Sequence, residues 1–243
     1  MAKIATHRAD GHVIWYDSTV LPHPEPRLFD PDWLRQTAAL TGQSQGRNTA
    51  WFLHHAGQDL VLRHYWRGGM VGRFNKDRYL RVAVENSRAM REFTLLRWMR
   101  DQGLPVPRAV AARYAPAGLF YRADLLMERI SGTRTLADHL ATEPLSASEW
   151  EHIGAVIARM HGLGVHHSDL NCRNILLDEE SAVWLIDFDK CDRRPPGAWA
   201  QANLERLHRS FAKEKGKVTG LYWDEAAWQA LLAGYRATQG TDA

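Results

Sequence analysis

Cysteine is nearly absent from the chain: Cys172 and Cys191 are the only two in 243 residues. Two thiols cannot build a disulfide framework, so a reducing compartment is expected, with both side chains acting as small packing residues. Long apolar runs are absent as well. No stretch of eighteen apolar residues occurs, so no membrane-spanning helix is expected, and the opening MAKIATHRADGHVIWYD has no apolar core of signal-peptide length. Lying on a membrane surface stays open. Zinc-ligand spacing is missing too, since His54, His55 and His64 sit on neighbouring segments without a His/Cys/Asp cluster. Net charge is only +3 with His neutral, too mild to mark a nucleic-acid binder.

What is present is enough for a folded core. Hydrophobic residues make up 45% and charged residues 24%, with 10 Trp, 7 Tyr and 7 Phe, which excludes disordered and collagen-like classes. The positive charge is local. Six basic residues (Arg63, Arg67, Arg73, Lys76, Arg78, Arg81) face a single acid, Asp77, between positions 63 and 81, so one acidic partner at one place is the expectation. Tyr65, Trp66, Phe74 and Tyr79 interleave with these charges. Such a segment suits an anionic interface, or it is a solvated basic face with a few packed rings.

The pattern along the chain predicts two kinds of lobe. A short strand over His12 to Tyr16 precedes a Pro-rich turn, and Asp30 before Pro31 predicts a helix running to about Leu40. The polar stretch TGQSQGRN, with Gly42 and Gly46, lies beside the β-rich segments TAWFLHH and DLVLRHYW. A helix is predicted from Lys76 to Asn86, then a longer one capped by Ser87 and stopped at Gly103. RAVAARYA and LFYRADLLMERI read as a hairpin. Beyond it, Ser148 and Glu151 have capping-box spacing before a helix with Ile153, Val156, Ile157 and Met160 on one face. Two short strands, NILLD and AVWLIDF, interrupt a remainder predicted helical near Asn203 to Lys213 and Asp224 to Arg236. The expectation is an α+β chain with a β-rich lobe over 1–127, a helical lobe over 128–243, and a hinge near residue 128.

The densest chemistry lies in HHSDLNCRNILLDEESAVWLIDFD. Asp169 and Asn174 stand five apart in a polar loop between a helix and a strand, and Asp187 follows thirteen residues later at the end of a second strand. One carboxylate can orient a hydroxyl proton, while an amide oxygen and a second carboxylate are hard donors suited to Mg²⁺. Phosphoryl transfer needs this set. These residues resemble the protein-kinase-like superfamily: His167, Asp169, Leu170 and Asn174 match H-x-D-L-x-x-x-N, and Asp187-Phe188-Asp189 stands where D-F-G is expected. The resemblance implies a two-lobed protein-kinase-like fold, with Asp169 as catalytic base, Asn174 and Asp187 as metal ligands, and His167 as an anchor of the loop.

In that frame TGQSQGRN occupies the place of the glycine-rich nucleotide loop, with Gly42 and Gly46 in place of three glycines; a plain hairpin turn fits the string equally well. Arg63 stands at the strand position of the kinase lysine and keeps its charge, though its planar fork is not equivalent to an ammonium. Glu92 would be its partner, or else a solvated surface acid; Lys76 is the alternative phosphate contact. Asp189 replaces the last residue of D-F-G, no A-P-E follows, and only about ten residues separate Asp189 from the next helix. That leaves no room for a peptide-docking segment, so the acceptor is expected to be small or a headgroup presented from a surface.

Within the superfamily the chain is most similar to the lipopolysaccharide core kinases acting on 3-deoxy-D-manno-octulosonic acid (Kdo). LRHYWRGGMVG, REFTLLRWM, GVHHSDLNCRNILLD and WLIDFDKC carry the resemblance, which runs from about Gln43 to Tyr235. It implies transfer of the ATP γ-phosphoryl group to a Kdo hydroxyl on a lipid A precursor, with Mg²⁺, at the cytoplasmic face of a Gram-negative inner membrane. The segment 63–81 would meet the membrane, and no nucleic acid is expected. Two other readings share the residues: an aminoglycoside- or choline-type phosphotransferase, and an RNA-associated kinase-like module.

Overall fold

A computed structural model describes residues 3–44, 50–67 and 77–241. Two compact units make up the chain, residues 1–98 with 107–129, and residues 99–106 with 130–243.

The first unit is built on an antiparallel sheet. It opens with a hairpin, β1 (Ile4–Ala9) and β2 (His12–Asp17). Asp10 and Gly11 join them, both at positive φ (51° and 76°), the backbone that a tight two-residue hairpin turn demands. Only the second of these strands, over His12 to Tyr16, is expected from the sequence. The main path runs β1-β2-β7-β8-β5-β4-β3, where β3 is Leu40–Gln43, β4 Ala50–His55, β5 Gln58–His64, β7 Ala109–Ala117 and β8 Phe120–Glu128. A short β6 (Tyr79–Leu80) pairs separately with β8. Alternation places Leu53 opposite Leu60 and Trp51 opposite Leu62. These four join Ile14, Leu28, Phe29 and Leu34 in one buried cluster, each side chain contributing about 1.5–3 kcal/mol by leaving water.

Two helix expectations in this unit are corrected. α1 spans only Pro31–Gln36, capped by the Asp30 carboxylate accepting from Asp32 N–H. It stops because Ala38 turns at φ 54° and Ala39 is drawn to β4, its carbonyl accepting from His54 N–H. The helix predicted over Lys76 to Asn86 is absent from its described part. There Tyr79 and Leu80 extend the sheet and only Val84–Asn86 makes a single 3-10 turn. Tyr79 packs near Tyr121, whose ring stacks on Tyr114, and β-branched Val82 and Val84 add little helix preference to resist it. α2 then runs Arg88–Asp101.

In the second unit, α3 (Leu136–Leu140), α4 (Ala147–Gly162), α5 (Trp199–Lys215) and α6 (Glu225–Thr241) surround two small antiparallel sheets. One holds β9 (Arg134–Thr135), β11 (Ile175–Leu177) and β12 (Val183–Leu185); the other pairs β10 (Val165–His166) with β13 (Asp192–Arg193). The capping box of α4 is Ser146 with Glu149, two residues earlier than predicted. Both Ser-x-x-Glu pairs were available. The adopted one also lets Glu149 accept from the Ser181 hydroxyl in the β11–β12 turn, a tertiary bond that spacing alone does not reveal. α4 and α6 pack backbone to backbone. A Cβ on Gly154 would overlap the Leu231 carbonyl, and one on Gly234 would overlap that of Glu151.

Candidate active site

The loop from His167 to Asn174 is fastened from below by buried polar groups. His167 is fully buried, and its Nδ1 accepts from Asp169 N–H at 3.2 Å while Nε2 meets the Ile186 carbonyl at 3.0 Å. That pattern assigns the proton to Nε2 of a neutral ring. Burial pushes its pKa below the ordinary value. Asn203 of α5, also buried, accepts from His167 N–H at 3.1 Å and donates to the His167 carbonyl at 3.0 Å. Its oxygen also meets His161 Nε2 at 3.3 Å, and His161 Nδ1 accepts from Tyr235 Oη at 2.8 Å. Desolvation drives the His161 pKa down to about 4. A continuous chain therefore links α6, α4 and α5 to the loop backbone.

On this support the three sequence-selected residues come together. Asn174 donates its side-chain amide to the Asp169 carbonyl at 2.9 Å, and its own carbonyl accepts from Ile186 N–H at 3.0 Å. The Nδ2 bond leaves the Asn174 Oδ1 end available as a donor to a cation. Asp187 follows Ile186 directly and adopts φ 66°, a left-handed conformation uncommon outside glycine and often kept at working sites. Phe188 is buried with its ring 4.8 Å from that of His167. Asp189 contributes its carbonyl, which accepts from the Ser168 hydroxyl at 2.7 Å. Cys191 Sγ accepts from Ser168 N–H at 3.2 Å, and Cys172 is buried beside Ser210, its thiol pushed up by burial.

The Asp169 carboxylate itself points outward, with 55% of its side chain exposed, and meets Arg206 Nη1 at 2.7 Å. An ion pair this exposed contributes little stability, so it is free to open. Neither Asn203 nor Arg206 was selected from the sequence. Asn203 did leave a signal, a polar residue on the face of α5 that also buries Leu204, Leu207 and Phe211. Arg206 left none, being one of many surface arginines.

In the first unit Arg63 lies on β5, opposite Leu125 of β8 and Ala50 of β4. Its Nη1 donates to Glu92 Oε1 at 3.1 Å, and Tyr65 Oη donates to Glu92 Oε2 at 2.6 Å. Glu92 is only 3% exposed, a buried and paired acid rather than a solvated one. Tyr65 is likewise an interior residue. Next to it, His64 sits between Asp124, at 2.7 Å, and Asp77, at 3.4 Å. Gly42 belongs to β3, paired with Phe52, rather than to the connecting turn. Gly46, Arg73, Phe74 and Lys76 lie outside the described residues.

Comparison with known proteins decides the family. The model of the Lipopolysaccharide kinase (Kdo/WaaP) family matches residues 31–235. The chain belongs to this family. A lipopolysaccharide-kinase relative from Vibrio parahaemolyticus, named 3-deoxy-D-manno-octulosonic acid kinase, is 42% identical over 94% of this chain and 95% of its own length. Proteins of the same name from Vibrio vulnificus (strain YJ016) and Photobacterium profundum are 43% and 42% identical, each over 93% of this chain and 95% of their own. Membership in the lipopolysaccharide kinase family makes the chain a kinase with the expected α+β, protein-kinase-like fold. The names of these relatives favour neither an aminoglycoside or choline acceptor nor an RNA-associated role.

Proposed function

We propose that this kinase transfers the γ-phosphoryl group of ATP to a hydroxyl of Kdo on a lipid A precursor. The observation that carries the reading is the loop geometry: Asn174 holds the Asp169 backbone while the Asp169 carboxylate faces outward. It joins the shared name of relatives that align over nearly the whole chain.

In this reading residues 1–127 form the nucleotide-binding lobe and 128–243 the catalytic lobe. Asp169 accepts or orients the proton of the attacking hydroxyl. Arg63, steadied by Glu92 and Tyr65, holds phosphate oxygens, and Gly42 and Gly46 are assigned to nucleotide binding by the kinase resemblance. Asp187 and Asn174 would hold Mg²⁺, to which one carboxylate and one amide oxygen are suitable hard donors. When bound, the metal neutralises phosphate charge.

The lipid acceptor places the enzyme at the cytoplasmic face of a Gram-negative inner membrane. Among the described residues no helix is long and apolar enough to cross a membrane, and the contact proposed is a peripheral one. Support comes from the end of the basic segment, where Leu80 is 68% exposed and Leu119, on the adjoining β7–β8 turn, is 80% exposed. Arg81 N–H donates to the Leu119 carbonyl, setting cations and apolar side chains side by side as an anionic bilayer surface requires.

The test is transfer of label from γ-labelled ATP to a purified Kdo-bearing lipid A precursor, compared with an aminoglycoside, a peptide and water. Label on the precursor alone is expected. Equal or greater label on either competitor would overturn the reading.

A further inference from the structure

The wall beside Asp169 carries more positive charge than its own acids can balance. Arg206, Arg209 and Lys213 follow one another on α5 at intervals of three and four residues, which brings all three to one face of the helix. They line a cavity of about 470 Å³ together with Asp169. Arg173, from the loop, and Lys217, just past the end of α5, complete five cations around it, against the two carboxylates of Asp169 and Glu214.

Glu214 does not reach the row on α5. It is buried, bonded to Arg173 Nη2 at 2.7 Å and Lys217 Nζ at 2.6 Å, and these partners hold its carboxyl down at about 2. Among the described residues Arg209 has only Glu205 as an ion-pair partner, at 3.9 Å, between two well-exposed side chains. Lys213 has no ion pair among the described residues. The cavity thus holds a fixed internal salt bridge on one side and uncommitted cations on the other, with the carboxylate of Asp169 at its edge.

We propose that this cavity binds the anionic groups of the acceptor, carboxylate or phosphate, through Arg206, Arg209 and Lys213, so that a neighbouring hydroxyl is delivered to Asp169. The inference rests on the kinase reading given above and adds where the acceptor is recognised. An arriving anion takes Arg206 in exchange for Asp169, which releases the carboxylate to the hydroxyl. Planar guanidinium groups suit the two-oxygen edge of either anion. The acceptor's anions are then read on α5, whereas the exposed end of the basic segment, at Leu80 and Arg81, meets the bilayer.

The experiment uses the double charge reversal R209E/K213E in the full chain, at two exposed positions. A control, R8E/R91E, makes the same charge change at exposed positions that do not line the cavity. Steady-state kinetics are read with a soluble Kdo glycoside, which carries the carboxylate alone, and with the Kdo-lipid A precursor in neutral-lipid vesicles, which adds the lipid phosphates. R209E/K213E should raise KM for an acceptor at least about tenfold, the equivalent of losing one charge-assisted contact, with the melting temperature held within a few degrees and the control near wild type. A rise with both acceptors assigns the cavity to the sugar carboxylate; a rise with the lipid precursor alone assigns it to the lipid phosphates.

Unchanged KM for both acceptors, or an equal rise in the control, overturns the proposal while the kinase reading stands. If the wild type labels neither acceptor, the kinase reading itself fails, and the cavity is judged by binding of inorganic pyrophosphate in calorimetry. Binding that R209E/K213E abolishes supports an anion site; binding that it leaves intact refutes one.

Discussion

Asn203 satisfies both backbone polar groups of His167, accepting from its N–H at 3.1 Å and donating to its carbonyl at 3.0 Å. A helix side chain here does what a β-ladder does elsewhere, closing the hydrogen-bonding of a buried loop residue. Asn203→Ala leaves two buried groups without that partner, at about 1–3 kcal/mol each. Urea unfolding should show a loss of at least about 2 kcal/mol, and a loss below about 0.5 kcal/mol would show that the amide does not hold the loop.

His161 gives the fold an acid-sensitive point. Its pKa in the folded state is about 4 against an ordinary 6.5, so between those values the unfolded chain binds more protons. Stability is therefore complete above pH 6.5 and falls as pH drops toward 4, by up to about 3 kcal/mol from this ring. Burial lowers His167 in the same direction. Melting temperatures of the wild type should decline from pH 6.5 to 4, and His161→Gln should decline less steeply; parallel curves would remove His161 from the effect.

Asp169→Ala should lower the rate of transfer at least about 10²-fold with nucleotide affinity nearly unchanged, because the role proposed for its exposed carboxylate is toward the acceptor hydroxyl and not the nucleotide. Asp187→Asn should differ by recovering part of its activity at raised Mg²⁺ or with Mn²⁺. Chelation of divalent ions by EDTA should stop the wild type. Turnover that persists in EDTA would contradict the metal role of Asn174 and Asp187.

Arg63→Lys should retain some activity, since a cation remains near Glu92. Arg63→Ala should lose both activity and stability, because a buried carboxylate loses a cationic partner, a change that costs up to about 3–5 kcal/mol. Comparing the KM for ATP of Arg63→Lys with its melting temperature separates the two roles. A lysine variant with normal stability and a raised KM places Arg63 on the nucleotide, and a normal KM makes it a strand residue that neutralises Glu92.

Gly154→Ala should force α4 and α6 apart, since the added methyl overlaps the Leu231 carbonyl and backbone cannot yield as a side-chain end does. A loss of several kcal/mol is expected, at the upper end of overpacking changes of about 1–3 kcal/mol. Chemical denaturation checks it, and a neutral result would show that the helices can separate without cost.

The loop was legible because its chemistry is contiguous: one run holds Asp169, Asn174 and Asp187, and the chain has only to turn twice to gather them. Arg63 and Glu92 were legible through their elements and the kinase resemblance, and their burial was not. The first hairpin was announced by Asp10-Gly11 and still passed over, since β1 carries Thr6, His7 and Arg8 where an apolar alternation would have drawn notice. The helix expected before Asn86 failed because local pattern yields to the pairing of Tyr79 with Tyr121. Asn203, His161 and Tyr235 come from three separate helices, and spacing within one segment says nothing about a bond between segments.

The contact between His161 and Tyr235 spans 74 positions of the chain. At about 5–20 residues per second of synthesis, roughly 4–15 s separate the making of the two. During that interval the Gly154 face of α4 has no partner and the loop lacks its last brace. The nascent chain therefore emerges with the loop and strands holding Asp169, Asn174 and Asp187 already made and their scaffold unfinished, and that scaffold closes only when α6 leaves the ribosome.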